Sequence, residues 1–148
     1  MKDVIRGRCR CGRLKLSVPG RPMLTMACHC TGCQSMTASA FSLSALFRAE
    51  DVSIDLGETQ IGGLHGAQRH HFCAHCLTWA FTRPEGMDGF VNVRTPILEG
   101  VADMAPFIET YTSERLPWLR IPAARSFERF PAPSDFPRLL AEYAAQNA

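Results

Sequence analysis

Cys28-His29-Cys30-Thr31-Gly32-Cys33-Gln34 places three cysteines in one short loop, directly after an apolar run at 23–27 and before a polar-apolar alternation at 41–47. The loop therefore sits at a strand end. Working outward, Cys9-Arg10-Cys11-Gly12 lies near the start of the chain and Cys73-Ala74-His75-Cys76 near its middle. These three clusters use all seven cysteines, an odd number that excludes complete disulfide pairing. Clustered thiols in a chain without an export signal bind metal or do chemistry more often than they form disulfides.

Zinc takes four ligands in a tetrahedron, and two cysteines separated by one or two residues on a tight turn can share one ion. The pairs Cys9, Cys11 and Cys73, Cys76 can complete a tetrahedron between them, whereas Cys28, Cys30 and Cys33 fill three positions from one local loop. The expected division is a closed four-thiolate structural site and an open three-thiolate site, with two Zn2+ per chain. Three thiolates donate strongly, so the open site suits a soft fourth ligand and would keep an incoming thiol ionised and nucleophilic. Two other readings stand beside this one. The three-cysteine cluster could be a second structural site completed by His29, or by a distant His65, His70, His71 or His75, or it could hold a redox pair. His29, between two ligands, is expected to point away from a metal they share. His70 and His71 fall on opposite strand faces, and His75, inside a turn, is expected to be exposed.

A chain of 148 residues that is 46% hydrophobic suffices for one domain with a core, so residues 1–148 read as a single zinc-binding domain. No stretch reaches the roughly 18 apolar residues of a membrane span, and the basic residues 1–13 precede no apolar signal region, so a cytoplasmic protein is expected. Seven thiolates and two zinc ions would take the formal charge from +2 to −1, which excludes a strongly basic balance. The cations Arg8, Arg10 and Arg13 flank the first cysteine pair, where screening thiolate charge explains them. Nucleic acid is not an expected partner, since no basic stripe with interleaved aromatics is present.

Period-2 patterning places further short strands near 4–5, 14–18, 52–54, 69–72, 79–82, 90–94 and 107–111, separated by glycine and proline turns, which indicates an all-β fold. Residues 34–38 suit one helical turn. The carboxyl-terminal segment is helical, with Phe136, Leu139, Leu140 and Tyr143 on one stripe that packs on the sheet and Ser134 as its cap. The prolines between 117 and 137 indicate an irregular arm, so 117–148 reads as arm plus helix.

The sequences C-R-C-G at 9–12, C-H-C-T-G-C-Q at 28–34, F-C-A-H-C at 72–76 and Y-T-S-E-R-L-P-W-L at 111–119 resemble the glutathione-dependent formaldehyde-activating enzyme family, which includes the centromere protein V type of domain. The resemblance implies a β-tent of several coiled antiparallel sheets with zinc knuckles. It assigns Cys9, Cys11, Cys73 and Cys76 to the structural zinc and Cys28, Cys30 and Cys33 to the zinc nearer the chemistry. The implied activity is a carbon-sulfur lyase joining formaldehyde to glutathione, the thiol partner. One departure is the residue after the second knuckle, Leu77 followed by Thr78, where the family usually has glycine. Leucine tolerates positive φ poorly, so this knuckle is expected to turn differently.

The leading expectation is thus a zinc enzyme acting on thiol adducts of small carbonyl compounds, with Arg115 or Arg48 as candidate anchors for a glutathione carboxylate and Trp118 as a core or pocket-wall residue. The alternative is a non-catalytic zinc module for protein or nucleic-acid interaction, in which both ions are structural. The sequence does not indicate an oligomeric state or a general acid or base.

Overall fold

The computed structural model describes residues 3–64 and 66–148. In chain order the described strands are β1 Val4–Arg8, β2 Lys15–Pro19, β3 Leu24–Cys28, β4 Ser42–Arg48, β5 Ser53–Leu56, β6 Thr59–Gly62, β7 Arg69–Cys73, β8 Trp79–Arg83, β9 Phe90–Val93, β10 Ile108–Thr110 and β11 Arg125–Ser126. Two helices accompany them, α1 Thr31–Thr37 and α2 Phe136–Gln146. The fold is mostly β-sheet, as the patterning indicated. The chain divides into two compact units, one built from Met1–Pro22 and Ala45–Asp103, the other from Met23–Ser44 and Met104–Ala148.

In the first unit every described pairing is antiparallel. Strands β1, β2 and β5 form a three-stranded sheet, and the segment of β4 in this unit pairs β9, which continues through β8 and β7 to β6. The alternation of β1 and β2 is that of a half-solvated sheet: Ile5, Leu16 and Val18 are buried while Val4 is 53% exposed. At the centre of the other set, Trp79, Ala80, Phe81, Val91 and Val93 are buried.

The second unit is organised by parallel pairing, which the expectation of antiparallel sheets did not include. Strand β10 pairs β3 on one side and β11 on the other, both parallel. Parallel strands are covered on both faces, and β3 accordingly buries Leu24, Thr25, Met26 and Ala27 in succession. Helix α2 packs on β3. Leu139 on its inner stripe is fully buried, and the Tyr143 ring meets Phe107 edge-on at 5.6 Å.

Ser134 does not cap α2. It lies in a 3-10 turn, Pro133–Asp135, that leads into the helix, and Asp135 Oδ2 accepts from the Ala132 N–H at 3.2 Å. Proline at the first position of that turn starts the winding early, and α2 itself begins without a side-chain cap. Helix α1 also begins before the expected 34–38, because Cys30 supplies the N-cap acceptor, its Sγ taking the Cys33 N–H at 3.3 Å.

Candidate metal centres

The first unit brings together Cys9, Cys11, Cys73 and Cys76, whose sulfur atoms all lie within 4.8 Å of one another. Cys9 and Cys11 Sγ are 3.5 Å apart, Cys11 and Cys73 Sγ 3.9 Å. Four sulfurs bound at about 2.3 Å around one tetrahedral ion stand about 3.8 Å apart, so the donor set fits a soft divalent cation. All seven cysteines are free thiols.

Two similar turns present these thiols. In the first, the Cys9 N–H donates to Leu14 O at 3.1 Å and Gly12 N–H to Cys9 O at 3.1 Å. In the second, Cys73 N–H donates to Thr78 O at 2.9 Å and Leu77 N–H to Cys73 O at 3.0 Å. Backbone N–H groups also point at sulfur: Leu14 at Cys9 Sγ, 3.3 Å, Arg13 at Cys11 Sγ, 3.5 Å, and Cys76 at Cys73 Sγ, 3.5 Å. Such donors favour the ionised thiol a metal requires. The Thr78 hydroxyl, 3.1 Å from Cys76 Sγ, draws that thiol down to about 5. It also accepts the Arg10 N–H at 3.2 Å, tying one turn to the other.

Gly12 has φ +80° and Leu77 φ +61°. The second turn therefore does not turn aside to spare its leucine. The hydrogen bonds of the turn hold Leu77 in the left-handed region, at a cost of about 1–2 kcal/mol for a residue with a Cβ.

In the second unit Cys28, Cys30 and Cys33 converge, their sulfurs again within 4.8 Å of one another. Strand β3 delivers Cys28, the bend at His29 places Cys30, and the first turn of α1 carries Cys33. The Cys30 thiol, then the Cys33 thiol, pull Cys28 down to about 2, and Cys33 is correspondingly pushed up by Cys28. Three converging thiols, one of them drawn toward its ionised form, make a donor set suited to a soft cation. Hydroxyls assist at two positions, Thr110 on Cys28 and Ser42 on Cys33. Among the described residues of this unit no histidine, carboxylate or further cysteine joins the three.

His29 faces away from the sulfurs and is fully buried. Its Nε2 lies 3.2 Å from Glu109 Oε1, the same oxygen that accepts from Arg115 at 3.0 Å. Burial holds His29 below its ordinary pKa, against the attraction of Glu109, which keeps the ring neutral. The other histidines are placed elsewhere: His70 Nδ1 is 2.9 Å from Thr82 Oγ1, His71 Nδ1 is 2.9 Å from Thr59 Oγ1, and His75 is exposed beside Arg13 at 3.2 Å. His65 lies outside the described residues.

Arg115, one expected anchor for a substrate carboxylate, is committed to Glu109. Arg48 is exposed at the end of β4. Trp118 is 74% exposed and forms one wall of a cavity of about 570 Å³ with Leu116 and residues of α1, a pocket-wall position rather than a core one. Gln34, Ser35 and Ala38 line that cavity from a helix face turned roughly 100° to 200° from Cys33, so it backs the cysteine helix and does not open onto the sulfurs.

Sequence reasoning missed Glu109, Glu114, Thr31 and Gln34. Glu114 Oε1 accepts from Thr31 N–H at 2.9 Å and Thr31 Oγ1–H at 3.1 Å. The Gln34 side-chain amide donates to His29 O at 2.7 Å and to Glu114 O at 3.0 Å. Glu109 lies in a strand buried at all three positions, so alternation carried no signal for it. Among the described residues no helix is long and apolar enough to cross a membrane.

With this geometry in place, comparison with known proteins adds a family. The sequence model described as "Glutathione-dependent formaldehyde-activating enzyme" matches residues 4–114. Among solved structures, that of a Rhodobacter sphaeroides protein is similar, with a TM-score of 0.54 and 21% identity over 64% of this chain and 88% of that one, a likeness of fold alone. No curated protein matches.

Proposed function

We propose, on the premise that this chain belongs to the glutathione-dependent formaldehyde-activating enzyme family, that it is a zinc-dependent carbon-sulfur lyase-type enzyme acting on adducts of glutathione, or another thiol, with formaldehyde or a similar small carbonyl compound. In this reading Cys9, Cys11, Cys73 and Cys76 hold a structural ion, and Cys28, Cys30 and Cys33 hold the ion that meets substrate. The observation that carries it is the asymmetry of the donor sets: four thiols close one site, while three thiols with no described fourth donor in their unit form the other. Closed sites are structural and sites with an open position are catalytic.

Zinc held by Cys28, Cys30 and Cys33 would supply a soft Lewis acid that keeps a substrate sulfur ionised at neutral pH. The chain's own groups prepare that site. Thr110 and Ser42 place hydroxyls on two of the sulfurs, and the Cys33 N–H supports the third. His29, buried and turned to Glu109, adds no competing donor. In the forward direction the substrate sulfur forms a bond to the carbonyl carbon, the C=O π pair moves to oxygen, and the proton lost by the thiol ends on that oxygen. The reverse expels the thiolate.

Exchange among formaldehyde, glutathione and their adduct, followed by NMR, is expected to accelerate with the protein and to return to the spontaneous rate with Cys30→Ser. An identical rate with and without the wild-type protein would sink this assignment.

A further inference from the structure

Of the segment that follows Phe107, the reading above uses only the Thr110 hydroxyl and the contact of Glu109 with His29, yet 109–114 touches the three-cysteine loop repeatedly. Thr110 stands opposite Cys28 in the parallel register of β10 and β3, and Thr110 O accepts the His29 N–H at 3.0 Å. Glu109 lies beside His29. Glu114 then reaches the far side of the loop: its carboxylate takes both donors of Thr31, and its carbonyl takes one N–H of the Gln34 amide. The other link of that amide goes to His29 O, the carbonyl between Cys28 and Cys30.

Thr31 is the first residue of α1, immediately after Cys30, and α1 has no acidic residue in its own first turn. A helix start leaves several N–H groups without intrahelical partners and carries partial positive charge. Here the Cys33 N–H goes to Cys30 Sγ, and the Thr31 N–H goes to a carboxylate 83 residues away. An ionised acceptor on a backbone N–H makes a bond about twice as strong as a neutral one. That bond fixes α1 where its first turn carries Cys33, and the Gln34 amide fixes the carbonyl between the other two sulfurs.

We infer that Glu114 is a positioning residue for the three-cysteine site: through Thr31 and Gln34 it holds the loop 28–34 in the conformation that brings Cys28, Cys30 and Cys33 together. It touches none of the sulfurs, and its role needs an acceptor oxygen rather than a proton. The inference rests on the proposed reading of that site as one that binds an ion.

The test uses the protein as purified with its metal and follows release to a chromogenic pyridylazo chelator, together with the visible absorption of the cobalt-substituted protein. Wild type is expected to release two ions in two phases, the faster from the three-cysteine site. Glu114→Ala should speed the fast phase by about 10- to 100-fold, the usual cost of losing a group that orients metal ligands. It should shift the cobalt-thiolate bands of that site and leave the slow phase unchanged. Glu114→Gln keeps an acceptor oxygen, though a neutral one, and should recover part of the loss in both release and activity. If Glu114→Ala does not fold, Gln34→Ala, which removes the amide link, and Thr31→Pro, which removes the N–H and hydroxyl donors at a first helical position that accepts proline, are expected to speed the fast phase in the same direction. A fast phase unchanged by Glu114→Ala, or by both of the latter variants, overturns the inference and leaves the proposed function standing. Glu114→Gln that keeps the wild-type fast phase but loses activity also overturns it, by making the carboxylate a proton carrier. Wild type that holds a single ion overturns the proposed function and this inference with it.

Discussion

The two cysteine clusters hold their sulfurs at similar separations by different means. Sixty-two positions separate Cys11 from Cys73, and Cys9 and Cys73 are both buried. Cys28, Cys30 and Cys33 come from one loop and are each half-buried. In the first cluster the thiols themselves join distant parts of their unit, beside the Arg10–Thr78 and Arg13–His75 contacts between the two turns. In the second, the joining is done by Glu109, Thr110, Glu114 and Gln34, and the half-buried sulfurs are relieved of that task. The first cluster, with Cys11 exposed and Cys76 half-buried, thus differs from the second less in burial than in what joins its parts.

Exchanging the roles is the most severe way to break this contrast. Structural zinc contributes about 10–16 kcal/mol in zinc-finger peptides, comparable to the whole stability of a typical domain. Cys73→Ser is therefore expected to abolish the cooperative melt followed by circular dichroism. Cys30→Ser should melt within a few degrees of wild type while losing the second ion by metal analysis. Equal losses from the two substitutions would mean that both clusters carry the fold.

A smaller effect sharpens the account of the second cluster. Glu109→Ala leaves Arg115 and His29 without their carboxylate. Because Arg115 is 25% exposed, the cost should fall at the lower end of that for breaking a buried pair, about 3 kcal/mol by denaturant midpoint. The same loss should appear after the second ion is extracted, since the carboxylate and not the metal supports the loop. A change below about 1 kcal/mol, the worth of an exposed ion pair, would reduce this contact to a surface detail.

The smallest effect lies within the first cluster, between its two turns. Leu77 is 54% exposed, so Leu77→Gly forfeits little burial and relieves a positive φ, with an expected gain of about 0.5–1 kcal/mol. Gly12→Leu should cost about 1–2 kcal/mol in the opposite sense. Thermal midpoints measure both, and shifts of the same sign would show that φ is not what distinguishes the turns.

The three cysteine clusters were legible because each is written within three to six consecutive residues, and the joining of the two pairs followed from the four ligands that zinc takes. Strands β1 and β2 were legible because one face of their sheet meets water and the alternation is written in Ile5, Leu16 and Val18. Strand β3 is buried on both faces, so nothing in its residues distinguishes a parallel partner from an antiparallel one, and the pairing with β10 went unread. The early start of α1 was hidden because its N-cap acceptor is a sulfur, outside the usual set of serine, threonine, aspartate and asparagine. Glu114 was in view within the Y-T-S-E-R-L-P-W-L stretch but without a role, since its partner Thr31 is 83 residues distant.

That separation has a consequence for the order of events at the ribosome. The three thiols of 28–33 emerge about eighty residues before the carboxylate that braces them. At ordinary elongation speeds the interval is about 4 to 16 s, during which the nascent loop lacks its parallel partner β10 and the acceptor for its helix start. Through that window Cys28, Cys30 and Cys33 are open to oxidants and to stray soft cations, and translation past Glu114 closes it.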